Sequence, residues 1–203
     1  NGDAEVESES SAPEADSSMM RPPVPEDPPA DPAPPRSPLS DPMSSEMNMM
    51  APALFQARFT TSKGAFVIEA HREWSPAGVD RFFNLVRHGF YDEARFFRVL
   101  DGFMAQCGCP DGRGTGGSSK PDLEQEFNEK AHVRGVCSMA RAQNPNSANS
   151  QFFICFDDAT FLDRQYTAWG QVIDGMENVD KLKRGEPVQD PDNIVSMKVA
   201  ADA

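Results

Sequence analysis

The distribution of proline and aromatic residues divides this chain more sharply than any motif does. Twelve of its 18 prolines fall in the first 53 residues, and not one Phe, Tyr or Trp does. Such a stretch has too little apolar surface to offset the entropy of ordering its backbone, and each proline pushes its predecessor out of the helical region. Residues 1–53 are therefore expected to form an extended, non-globular tail, and residues 54–203 one domain of ordinary size. Charge parts at the same place. The tail holds 11 acidic residues against Arg21 and Arg36, a net −9, whereas residues 54–203 hold 21 acidic against 17 basic, a net −4. An acidic chain with no basic stripe is repelled by phosphate backbones and anionic lipid, which argues against nucleic acid as a partner. No apolar run approaches the roughly 18 residues of a membrane span. The Ser-, Glu- and Pro-rich start resembles the spacer behind an export signal in bacterial proteins, which points to a periplasmic or exported location, with the cytoplasm as the alternative. Six of the ten methionines also lie in the tail, and such adaptable side chains suggest that part of it rests on a surface.

From Leu54 the pattern changes to period two. Phe55, Ala57 and Phe59 share one face of a strand, Thr61-Ser62-Lys63-Gly64 supplies a turn, and Ala65 to Ala70 reads as the returning strand. Ser75-Pro76 predicts a helix start, with Ser75 as N-cap and Pro76 at the first helical position. Val79, Phe82, Phe83 and Val86 then recur at helical spacing up to a stop near Gly89. Short apolar runs follow at 96–100, 103–108, 135–139, 152–156 and 168–173, separated by Gly-rich or polar turns. That spacing predicts a closed or nearly closed antiparallel sheet. A second helix is expected over Met176–Lys183, ending at Gly185, and Ile194–Val199 reads as the last strand.

Conventional catalytic sets are missing: the sequence has no G-x-S-x-G, no Walker loop and no H-E-x-x-H. His71, His88 and His132 are scattered through polar surroundings and read as surface residues. Cys107, Cys109, Cys137 and Cys155 read as small buried hydrophobes, with a disulfide as the alternative. Their spacing fits neither a redox C-x-x-C nor a metal site, so no metal and no cofactor is expected. The glycines of 112–117 do not lie between a strand and a helix. They suit a loop that lets a peptide approach closely rather than a phosphate cradle.

Three segments stand out: Phe96-Phe97-Arg98-Val99-Leu100-Asp101-Gly102-Phe103-Met104-Ala105-Gln106, then Ser138-Met139-Ala140-Arg141, then Ser150-Gln151-Phe152-Phe153-Ile154. In these segments, in this order and with a Gly-Thr-Gly-Gly loop between the first two, the sequence resembles the cyclophilins, a family of peptidyl-prolyl cis/trans isomerases. The resemblance covers roughly the last three quarters of the chain. It implies a mainly β fold, an eight-stranded antiparallel barrel capped by two helices, with a shallow groove on its outer face. It also implies that Arg98 is catalytic and that Phe103, Met104, Phe153 and Leu162 receive the substrate proline. Gln106 and Gln151 match the groove's polar residues, and Ala140 and Arg141 its backbone-binding edge. Phe161 stands where the family has a groove Trp, Tyr166 where it has a His, and Arg141 where many eukaryotic members have Asn. The implied partners are proline-containing peptides and folding or unfolded proteins. Cyclosporin, the family's cyclic peptide inhibitor, is expected to bind more weakly because the indole donor is missing at 161.

The residues themselves suit that chemistry. Rotation about an X-Pro bond must lose amide resonance, against a barrier of about 18–20 kcal/mol, and the twisted prolyl nitrogen gains a lone pair. A permanently charged, planar guanidinium beside an apolar pocket stabilises that state selectively. The competing reading is a proline-peptide binding module or chaperone with little turnover, and retention of Arg98 favours the isomerase. A tail carrying twelve prolines is in addition a candidate intramolecular ligand for its own groove, with a solvated spacer as the alternative.

Overall fold

The computed structural model describes residues 48–200. Its first hairpin pairs β1 (Leu54–Thr61) with β2 (Gly64–His71) in register from Leu54↔His71 to Thr61↔Gly64. The turn is closed by Thr61, whose Oγ1 donates to the Gly64 carbonyl at 2.7 Å and accepts from the Lys63 N–H at 3.1 Å. The expected face is the buried one: Phe55, Ala57 and Phe59 all lie inside.

Helix α1 (Pro76–Arg87) follows as expected, with Val79, Phe82, Phe83 and Val86 buried, but its start is satisfied differently. Ser75 makes no side-chain cap. The Glu126 carboxylate accepts from the backbone N–H of Ala77 (3.2 Å) and Gly78 (2.9 Å) and from the Ser75 hydroxyl (2.7 Å). A carboxylate at a helix N-terminus meets both orphan donors and the positive end of the dipole, so it displaces the weaker hydroxyl cap.

Five short strands complete the sheet: β3 (Arg98–Leu100), β4 (Met104–Cys107), β5 (Val136–Met139), β6 (Phe152–Cys155) and β7 (Ala168–Asp174). Helix α2 (Met176–Val179) and strand β8 (Ile194–Val199) end the fold. Helix α2 is shorter than its apolar spacing suggests. Beyond Val179 the Lys181 and Leu182 N–H groups bond three residues back, to Asn178 and Val179, so the chain leaves the helix in turns while Val179 and Leu182 stay buried.

All strand pairs are antiparallel, in the order β3-β4-β6-β5-β7-β2-β1-β8. The chain flanking the two ends draws them together. Arg95 bridges Asn193, the Glu93 N–H donates to the Ile194 carbonyl, and the Phe96 N–H donates to that of Asp192. The sheet thus curls on itself, with α1 against β8 and α2 against β2. Its concave side is filled by rings: Phe82 contacts Phe59, Tyr91, Phe152 and Trp169 at centroid distances of 4.3–6.3 Å. The four cysteines are buried and not joined in a disulfide.

Residues 48–53 are held on the domain. Asn84 clasps the backbone of Met49, donating to its carbonyl and accepting from its N–H, while the Asp80 carboxylate accepts from the Ala51 N–H. Ala51 is part of the buried core.

Candidate active site

Side chains on a strand alternate between faces, so register decides which residues meet. Across four strands the pairing runs Arg98 (β3), Gln106 (β4), Phe153 (β6), Ser138 (β5), each directly opposite the next. These four point away from the ring-filled core, whereas their neighbours Val99, Ala105, Cys107, Phe152, Ile154 and Cys137 belong to it. On the outer face Met104, Phe153 and Cys155 join Ala140, Ala159, Leu162 and Tyr166 in a second apolar cluster, with Leu100 and Phe103 packed against it.

The outer cluster surrounds a cavity lined by Arg98, Phe103, Met104, Gln106, Ala140, Phe153, Leu162 and Tyr166. Leu162 comes from a 3-10 turn, Thr160–Leu162, and Phe103 from the tight β3–β4 connection, where the Phe103 N–H bonds the Leu100 carbonyl. Gln151 and Arg141 instead line an adjoining polar groove with Gly114–Gly117, Lys120 and Asn149, and Gln106 and Ala140 belong to both. Phe161 stands beside the pocket, 49% exposed, its ring stacked on Phe103 at 5.5 Å.

Arg98 is 1% exposed, and a buried cation must be paired and hydrogen-bonded. Its Nε donates to Glu186 Oε1 at 3.1 Å and its Nη1 faces Gln106 Oε1 at 3.4 Å. Gln106 Nε2 donates onward to Gln151 Oε1 at 3.0 Å, and Gln151 Nε2 donates to the Gly114 and Gly116 carbonyls. One polar chain therefore runs from Glu186 through the guanidinium to the glycine loop. The loop's other side is held by the Cys109 sulfur, which accepts from the Gly114 and Gly116 N–H groups.

Arg141 is occupied by its own surroundings. It donates to the carbonyls of Ala142, Gln143 and Gln165, and its guanidinium lies over the Tyr166 ring at 4.4 Å. Burial pushes the Tyr166 hydroxyl pKa up, although the Arg141 and Arg98 charges oppose this, so the phenol stays neutral.

His132 is not at the surface, contrary to what its polar neighbours in sequence suggest; it is fully buried behind the pocket. Its Nδ1 lies 2.9 Å from Asp163 Oδ1 and its Nε2 2.9 Å from Ser138 Oγ, and its ring stacks at 6.3 Å from that of Phe153. A carboxylate only accepts, so Nδ1 carries the proton and Nε2 accepts from the Ser138 hydroxyl. Burial lowers the imidazole pKa further than Asp163 raises it, which holds the ring neutral. Neither His132 nor Glu186 has a local sequence signal. Both lie in polar stretches that become site walls only through long-range packing.

Comparison with known proteins places the chain in a family. Residues 56–199 match the family model of the cyclophilin type peptidyl-prolyl cis-trans isomerases. The chain is 45% identical over 155 residues to a probable peptidyl-prolyl cis-trans isomerase of Brucella abortus, covering 68% of this chain and 79% of that one. A Helicobacter pylori peptidyl-prolyl cis-trans isomerase is 38% identical over 136 residues, covering 66% and 83%. Among solved structures, a Hirschia baltica cyclophilin superposes with a TM-score of 0.69 at 28% identity, over 76% of this chain and 77% of that one. A Cryptosporidium parvum cyclophilin-type isomerase, crystallised in the presence of the dipeptide Ala-Pro, gives 0.66 at 28% identity, over 71% and 98%. The chain belongs to the cyclophilin-type peptidyl-prolyl cis-trans isomerases, and its activity is the isomerisation of X-Pro bonds.

The buried His132 has a consequence for acid stability. Above about pH 6.5 the imidazole is neutral folded or unfolded, and it adds no pH dependence. As pH falls from there to its lower folded value, the unfolded chain takes up a proton that the native chain does not. Stability therefore drops, by at most about 1.4 kcal/mol per pH unit. Urea denaturation midpoints from pH 7.5 to 5.0 should fall more steeply for wild type than for His132→Phe. Equal slopes would show that the buried imidazole does not titrate with unfolding.

Proposed function

We propose that Arg98 is the catalytic donor and that the Phe103, Met104, Phe153 and Leu162 walls seat the substrate proline. The observation that carries this reading is a permanently charged side chain, almost wholly buried, lining the same cavity as those four apolar residues. As the X-Pro bond twists, the prolyl nitrogen becomes pyramidal and basic, and a guanidinium N–H aimed at it lowers the barrier without touching the planar ground state. Rotation needs no proton transfer and no covalent intermediate. The donor is buried in place beside Gln106 before substrate arrives, so little reorganisation accompanies the twist. Gln106, Gln151, Ala140 and Arg141 border the groove that takes the residues preceding the proline, and Tyr166 closes the pocket's side. Folding proteins and proline-containing peptides are the substrates of such a groove. Replacing Arg98 by Ala should lower kcat/KM for an Ala-Pro peptide at least about tenfold, roughly 1.4 kcal/mol of transition-state stabilisation. NMR exchange measures it, and unchanged activity would remove Arg98 from the mechanism.

Cyclosporin binding follows from Phe161. Its ring supplies the apolar surface but no N–H, and one lost hydrogen bond weakens the complex by about 1 kcal/mol, near fivefold in Kd. Phe161→Trp should therefore tighten cyclosporin about fivefold by calorimetry. An unaltered Kd would mean that the indole position plays no part.

The tail is a competitor for the groove in this reading. Asn48 Oδ1 accepts from Lys120 Nζ at 2.9 Å, and Lys120 lines the polar groove that adjoins the proline pocket. Asn48, the first described residue, therefore lies at the groove's rim. The 47 residues before it hold the acidic excess of the sequence, and the charged residues lining the groove are Lys120, Arg141 and Asp122. Ala33-Pro34 lies 14 residues before Asn48, a reach of up to roughly 48 Å, and tethering gives an effective concentration on the order of millimolar. Deleting residues 1–47 should raise kcat/KM or peptide affinity, whereas identical kinetics for both forms would leave the tail a spacer.

A further inference from the structure

Glu186 has no role in the reading above beyond touching Arg98, yet the way it reaches that residue is specific. The segment 185–188 runs beside β3 as an extra antiparallel rung. The Val99 N–H donates to the Gly185 carbonyl at 2.9 Å and the Gly185 N–H to the Val99 carbonyl at 2.8 Å. On the other side of Arg98, the Val188 N–H donates to the Phe97 carbonyl at 2.8 Å. Residues 97 and 99 are both bonded, so the segment brackets Arg98, and the one carboxylate it carries meets the guanidinium at Nε.

We propose that Glu186 is a positioning residue for Arg98, fixing the guanidinium plane through the Nε–H bond so that the remaining N–H groups keep one orientation toward the pocket. This inference rests on Arg98 being the donor. Without Glu186 the guanidinium loses the bond at its Nε–H, and rotation about its last side-chain bonds is less restrained. A donor must lie within a fraction of an ångström of its productive place to act on the twisted state, whereas the ground-state peptide is held by the apolar walls. Loss of Glu186 should therefore reduce turnover more than binding. The Glu186 side chain is 35% exposed and its segment is tied down by backbone bonds, so the substitution leaves the fold intact.

The test compares Glu186→Ala, Glu186→Gln, Arg98→Ala and the Ala/Ala double variant in the full chain, using NMR exchange on an Ala-Pro peptide. Glu186→Ala is expected to lower kcat about fivefold, with peptide Kd within about twofold of wild type and an unchanged Tm. Glu186→Gln keeps an oxygen that accepts from Nε and should return activity to within about twofold of wild type, and the double variant should be no worse than Arg98→Ala. Wild-type kcat in Glu186→Ala beside an impaired Arg98→Ala overturns the inference alone. Losses in Glu186→Gln as deep as in Glu186→Ala, or losses that add in the double variant, overturn it as well. Wild-type activity in Arg98→Ala would instead overturn the assignment of the donor, and the role of Glu186 with it.

Discussion

The site depends on one constraint, the register of β3, β4, β6 and β5. Arg98, Gln106, Phe153 and Ser138 sit in one transverse row because each is paired directly with the next. A slip of one residue in any strand would exchange the faces. Val99, Ala105 or Ile154 would then face the pocket, and the polar residues would enter a core of packed rings. The large side chains on both faces oppose such a slip. The inner face is filled by Phe59, Phe82, Phe152 and Trp169, and the outer by Met104, Phe153, Leu162 and Tyr166. A two-sided sheet of this kind is an apolar wall with one chemically distinct row written across it.

Burying a guanidinium in that row has consequences beyond the row itself. An unpaired cation at 1% exposure would carry a desolvation cost of several kcal/mol, so the surrounding backbone is arranged to supply acceptors. Glu186 arrives from one side on a segment clipped to β3, and Gln106 from the other on β4. Gln106 is itself committed to Gln151, and Gln151 to the carbonyls of the glycine loop. Gln151 borders the groove beside the pocket, so the bonds that satisfy Arg98 also shape the groove's surface.

The apolar half of the pocket is braced from behind in a similar manner. His132 links β5 through Ser138 to the turn after Leu162 through Asp163, with Phe153 stacked against its ring. Two walls of the pocket, Phe153 and Leu162, therefore share one buried support. The long connection between β4 and β5 supplies both that histidine and Glu126, which holds the start of α1. A segment with little regular structure thus ties the helix, the sheet and the pocket together through side chains.

What the sequence alone determined was the set of elements and the cast of the pocket. Period-two alternation at 54–59, helical spacing from Val79 to Val86 and the short apolar runs place the strands and α1 where they are found, because these patterns are local. The resemblance, through the segments around Arg98, Ala140 and Phe153 and the positions Leu162 and Tyr166 beyond them, names eight residues that line one cavity, although 55 residues separate Arg98 from Phe153. What only the tertiary structure decided was which polar groups complete those residues. Ser75 has the ideal residue type for a cap, yet Glu126 takes the helix N-terminus, since a carboxylate brought there by a long loop binds more strongly than a local hydroxyl. His132 reads as a surface residue in its own neighbourhood, and Glu186 carries no local signal at all. His132 becomes a buried brace only because distant chain packs over it, and no local pattern encodes a contact made across 88 residues, as between Arg98 and Glu186. Local spacing reports which face of an element is apolar, whereas the pairing of buried polar groups is settled by the closure of the whole sheet.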